Sequence, residues 1–83
     1  MIKREMTLKK AEGLNALNAA LLVKICCSFK SSIMIRRSGV FINAKSMMGV
    51  LSLTAPVDSV LIFEIDGADE KRALKAISEF LAN

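Results

Sequence analysis

Residues 31–53 read SSIMIRRSGVFINAKSMMGVLSL. The first fourteen have the look of two short strands joined by a tight turn at Ser38-Gly39. Ser46 then stands where an N-cap should, opening a short helix from Met47 to about Leu53. Working outward, IKREMTL near the start repeats with period two through Ile2, Arg4, Met6 and Leu8, as a half-buried strand does. KAEG is a turn, and Asn15 is suited to cap a helix running from Ala16 to about Ser28. On the other side, VDSVLIFEIDG supplies a buried strand from about Val60 to Ile65. Asp69 opens a last helix with an apolar stripe of Ala73, Leu74, Ile77, Phe80 and Leu81. The order is βαββαβα. The expected fold is α+β, an open-faced sandwich in which a four-stranded antiparallel sheet carries its helices on one face. A right-handed split β-α-β crossover suits strands this short.

The chain has 83 residues, so residues 1–83 are expected to form one domain with a two-layer core. Hydrophobic residues make up 53% and charged residues 24%, which argues against disorder. The net charge of +4 is uneven. Residues 1–45 hold nine Lys/Arg against two Asp/Glu, and residues 46–83 hold three against six. Such asymmetry can mark a nucleic-acid surface, but with four Phe and no Tyr or Trp there is no aromatic interleaving. Scattered solubilising lysines are the simpler reading. Cys26 and Cys27 are adjacent, point about 100° apart on a helix and have no histidine near them. A disulfide between them and a metal site are both poor readings, so they are expected to act as small buried or half-buried hydrophobes. LNALNAALLVKICC faintly imitates a secretory signal. However, Glu5 and Glu12 interrupt the basic region, Asn15, Asn18 and Lys24 break the apolar run, and no cleavage site follows. A cytoplasmic protein with no membrane association is expected.

The first helix has apolar residues on two sides. Ala19, Leu22, Cys26 and Phe29, with Val23 alongside, form a sufficient core face. Leu17, Leu21 and Ile25 form a second stripe roughly opposite. They are either covered by the short second helix or exposed as a docking patch with Lys24, Met47, Met48 and Leu51. Methionine-rich surfaces adapt to several partners.

Three segments together resemble HPr, the phosphocarrier family of the bacterial phosphoenolpyruvate–sugar phosphotransferase system. NAKSMMGVLSL (residues 43–53) is close to the family's regulatory-serine segment, and GADEKRALKAISEFL (residues 67–81) resembles its last helix. GLNALNAALLV (residues 13–23) is similar in frame to the active-site signature Gly-(Leu/Ile)-His-Ala-Arg-Pro-Ala-Ala. The resemblance implies that Asn15 occupies the family's phosphohistidine position, Leu17 that of its arginine and Asn18 that of its proline. An amide nitrogen has its lone pair delocalised into the carbonyl and is no nucleophile for phosphorus. Losing the arginine removes a charge-assisted contact to phosphoryl oxygens. With no histidine anywhere in the chain, nothing replaces the relay group.

Ser46 matches the serine that an ATP-dependent kinase phosphorylates in many Gram-positive bacteria, where the modified protein becomes a corepressor for a catabolite control transcription factor. A phosphate at a helix N-terminus meets free N–H groups and the positive dipole end, and adjacent Lys45 could add charge. The plainer reading of Ser46 is a cap. Leu17 also removes the family arginine that helps contact that factor. TAPVDS (residues 54–59) lacks the glycine usual there.

The sequence therefore points to a divergent, histidine-less HPr-like protein in carbon catabolite regulation, with Ser46 as a regulatory phosphorylation site. The alternatives are an unphosphorylated binding module or decoy for enzyme I or a sugar-specific component, and a paralogue with no retained role. Expected partners are HPr kinase, the transcription factor or phosphotransferase-system enzymes. No cofactor, metal or enzyme activity of its own is expected. Glu64 and Asp66, two apart on one strand, read as a solvated strand end, and no Gly-rich phosphate loop or Cys–His pair occurs.

Overall fold

A computed structural model describes all 83 residues. Seven elements follow in the expected order: β1 (Ile2–Thr7), α1 (Ala16–Cys27), β2 (Ser32–Arg37), β3 (Val40–Asn43), α2 (Met47–Ser52), β4 (Val60–Asp66) and α3 (Glu70–Ala82). The four strands form one sheet in the order β1-β4-β2-β3, and every neighbouring pair is antiparallel. β4 is inserted between β1 and β2, which makes β1-α1-β2 a split crossover. The β2–β3 turn falls at Ser38 (φ 48°) and Gly39 (φ 83°), two consecutive left-handed residues as a two-residue type I′ hairpin requires.

Pairing explains which residues are buried. Ile2 pairs with Ile65, Arg4 with Phe63 and Met6 with Leu61, so the period-two set of β1 lies on the helix side. Across the sheet Ile33 and Ile35 line up with Ile65 and Phe63. From above, Ala19, Leu22 and Cys26 of α1, Val50 of α2, and Ala73, Ile77 and Leu81 of α3 close the core. Val23, Phe29, Leu74 and Phe80 are half-buried around it. The opposite sheet face is open, with Glu64 half-buried and Asp66 exposed on the same side. Glu64 pairs with Arg36 at 3.6 Å, and Asp66 lies 3.5 Å from the terminal ammonium.

Two local arrangements differ from the sequence reading, and a third was left open by it. Asp69 precedes α3 but makes no side-chain cap. Its carboxylate instead accepts from the amides of Lys30 (2.8 Å) and Ser31 (3.0 Å) and from the Ser31 hydroxyl, tying the α1–β2 turn to the start of α3. Cys26 is buried as expected, whereas Cys27 is exposed. The loop after α2 lacks glycine yet needs two left-handed residues, and Thr54 (φ 44°) and Asp58 (φ 70°) supply them.

Candidate functional site

The N-terminus of α1 is assembled from a close backbone approach. Gly13 has φ 66°, and a Cβ there would meet the Ala55 carbonyl at 2.5 Å and Pro56 Cα at 2.9 Å. The Leu14 amide donates to that same Ala55 carbonyl at 2.8 Å. Only glycine fits such a position. It delivers Leu14 to the core and Asn15 to the N-cap position, in extended backbone (φ −70°, ψ 178°).

Both ends of the Asn15 amide are engaged. Its Oδ1 accepts from the Asn18 amide at 2.8 Å, the N-cap hydrogen bond, and its Nδ2 donates to Glu12 Oε2 at 3.0 Å. Asn18 Nδ2 donates to the Gly13 carbonyl at 2.7 Å, closing the turn with a second side chain. The site is thus a hydrogen-bonded cap, with a carboxylate at the positive end of the helix where the dipole favours it. The Asn15–Glu12 pairing was not read from the sequence, although two polar residues three apart at a helix start are its signal.

Ser46 is exposed and caps α2 in extended backbone (φ −104°, ψ 117°), accepting from the Gly49 amide at 3.2 Å. As at any helix start, the Met47 and Met48 amides have no partner within α2. Lys45 is adjacent in sequence but aimed elsewhere. Its Nζ donates to the Phe29 carbonyl at 2.7 Å, beyond the C-terminal end of α1, where a cation is favourable. The charge expected to support Ser46 is therefore committed to another contact.

The second stripe of α1 divides. Leu17 is 66% exposed and Leu21 41%, whereas Ile25 is half-buried against the core. On α2, Met48 is 83% exposed and Leu51 39%, while Met47 packs half-buried against the core. Met47 thus contributes less to the surface than the sequence suggested, because the short helix turns it inward. Lys24 is exposed at the far end of α1 and joins no ion pair. No group of His, Cys, Asp and Glu has a metal-binding arrangement, and no helix is long and apolar enough to cross a membrane.

Residues 2–83 match the family described as the phosphotransferase-system HPr component phosphorylation site. The phosphocarrier protein HPr of Cupriavidus necator is 36% identical over 83 residues, which is all of this chain and 93% of that protein. Among solved structures, HPr from Bacillus anthracis superposes with a TM-score of 0.93 at 31% identity, covering 96% of this chain and 95% of the other. The catabolite repression protein Crh of Bacillus subtilis, a swapped dimer, gives 0.73 at 30% identity, with 99% and 94% covered. A family match spanning nearly the whole sequence, with the same open-faced sandwich in solved HPr structures, shows that the chain belongs to the HPr family of the phosphotransferase system.

Proposed function

We propose that this chain is an HPr-family protein that has lost phosphate relay and acts by protein contact, with Ser46 as its switch. One observation carries the first half. The side chain at position 15, which the resemblance aligns with the phosphohistidine, is an amide hydrogen-bonded at both ends to Asn18 and Glu12. Its nitrogen has no available lone pair, and the sequence holds no imidazole to substitute for one. Glu12 also puts a negative charge where an incoming phosphoryl group would be repelled. Incubation with phosphoenolpyruvate and enzyme I should leave the intact mass unchanged. Acid-labile phosphate on the chain would overturn the reading.

The switch rests on the exposed Ser46 hydroxyl at the start of α2. Phosphate there would meet the two unpartnered amides and the dipole without help from Lys45, and would add roughly two negative charges beside Met48 and Leu51. Treatment with ATP and HPr kinase should add one phosphate to the wild type and none to Ser46→Ala. No addition, while an authentic HPr is modified alongside, would remove the switch.

A second reading is supported by the exposure of Leu17, Leu21 and Met48: a binding module that occupies enzyme I or a sugar-specific component without receiving phosphate. Leu21→Glu or Met48→Glu should then abolish co-purification with that component. Binding that survives both would place its contact elsewhere.

A further inference from the structure

The charge at the start of α1 comes from outside the helix. α1 has no acidic residue in its first turn, and Lys24, its single cation, stands in its last. Glu12, exposed in the turn before the helix, supplies the missing anion, with Oε2 accepting from Asn15 Nδ2 at 3.0 Å. No cation of the chain pairs with it. Lys9 is held by Asp58 at 2.9 Å, and Lys10 Nζ lies 4.3 Å from the centroid of the Phe80 ring. Leu17, at the position that the resemblance aligns with an arginine, leaves the first turn without a cation as well.

We propose that Glu12 is a fixed substitute for the phosphoryl charge, so that this chain permanently presents the charge of a phosphorylated carrier and selects partners that hold no phosphate themselves. The partner is a phosphate-accepting protein in its dephosphorylated state. Among the expected partners that means a sugar-specific component rather than phosphate-charged enzyme I. The inference deepens the binding-module reading and rests on it, and on position 15 as the lost relay position.

Geometry supports the substitution. A phosphoryl group carried on side chain 15 would hold its oxygens two bonds from a nitrogen. The Glu12 oxygen stands in hydrogen-bond contact with Nδ2, only slightly farther out. The Asn18 amide fixes Asn15 Oδ1 at 2.8 Å, which leaves Nδ2 to hold Glu12 in place. The positive end of the α1 dipole favours an anion there. The carboxylate carries one negative charge where a phosphoryl group carries roughly two.

Electrostatics then chooses the partner. A protein that receives a phosphoryl group must stabilise the charge on its oxygens during transfer, so its pocket presents donors or cations. Those groups would find the Glu12 carboxylate. The same protein already phosphorylated brings one anion against another, and so does enzyme I holding phosphate. Two unit charges a few ångströms apart near a protein surface repel strongly enough for about tenfold or more in affinity. Because Glu12 is exposed, salt screens this discrimination. The carboxylate has no phosphoryl group to give, so the bound component stays phosphate-free and closed to an authentic carrier.

Titration calorimetry tests the inference with one purified sugar-specific component that accepts phosphate from an authentic HPr, prepared with and without its phosphate. At low salt the wild type should bind the phosphate-free form about tenfold or more tighter than the phosphorylated form, and the ratio should shrink at about 0.5 M salt. Glu12→Gln keeps an oxygen that can accept from Asn15 and removes only the charge. Its ratio should fall to within about threefold of unity, with an unchanged urea midpoint. Asn15→Ser keeps a helix cap but releases Glu12, and should give an intermediate ratio. Equal affinity of the wild type for both forms, or a ratio that survives Glu12→Gln, would overturn the inference and leave the binding module standing. Absence of binding to either form would overturn both. Acid-labile phosphate on this chain after treatment with phosphoenolpyruvate and enzyme I would overturn the reading of position 15, and this inference with it.

Discussion

Thr54 is a β-branched residue held at φ 44°, where side chains of L-residues crowd the following carbonyl at a cost of about 1–2 kcal/mol. Its hydroxyl is occupied only by the neighbouring Leu53 carbonyl at 2.8 Å. Glycine would remove the strain while giving back about 0.5–1 kcal/mol in backbone entropy. Thr54→Gly is therefore expected to raise stability by roughly 0.5–1 kcal/mol, read as an increase in the urea midpoint at unchanged slope. A fall would mean that the local hydroxyl contact outweighs the strain. Asp58, at φ 70°, differs because aspartate tolerates this region, and its carboxylate reaches Lys9 Nζ at 2.9 Å. That pair is mostly exposed and contributes at most about 1 kcal/mol. A missing glycine can be read from sequence. Which residues must then take its conformation cannot, because that depends on how the loop closes over Gly13.

At the scale of elements, the hairpin and α2 were legible because each carries its own punctuation: Ser38-Gly39 in one, Ser46 in the other. α3 was legible from its one-sided apolar stripe. The contacts that join elements were not. Asp69 looks like a cap in sequence, but its acceptors are satisfied by Lys30 and Ser31, 39 and 38 residues away. Lys45 looks like a partner for Ser46, but it reaches back to Phe29. Local patterns reveal an available hydrogen-bonding group, whereas the tertiary fold decides which partner arrives. The Asp69 bracket has a pH signature. The Ser31 hydroxyl first, then the Lys30 amide, hold its carboxyl down at about 2. A free aspartate lies near ~3.9, so the folded state favours the charged form. The contribution is fully present above about pH 4 and is lost as pH falls toward 2. Asp69→Asn should flatten stability across that acid range and speed hydrogen exchange at the Lys30 and Ser31 amides at neutral pH. An acid dependence identical to the wild type would show that the bracket is not holding the junction.

The whole molecule buries one face of its sheet and leaves the other to solvent, with 17 apolar residues in a single core. Phe63, fully buried on the central strand β4, lies between Arg4 of β1 and Ile35 of β2. The patterning of the sequence located this core, and its resemblance to HPr pointed to the same fold. The candidate site was legible in its residue types. Its exposure was not, because only the packing of α2 on α1 decides which leucines remain bare.

The neighbouring cysteines make the integrity of that core countable. Burial, and secondarily the nearby Cys27, pushes the Cys26 thiol up to about 12, while Cys27 faces solvent. A maleimide at neutral pH should therefore add once quickly to each native molecule, and a second time only when the core opens. Two immediate additions would contradict the burial of Cys26. Because the chain has no tryptophan or tyrosine to fluoresce, adduct counting by mass spectrometry becomes its natural optical-free reporter of unfolding.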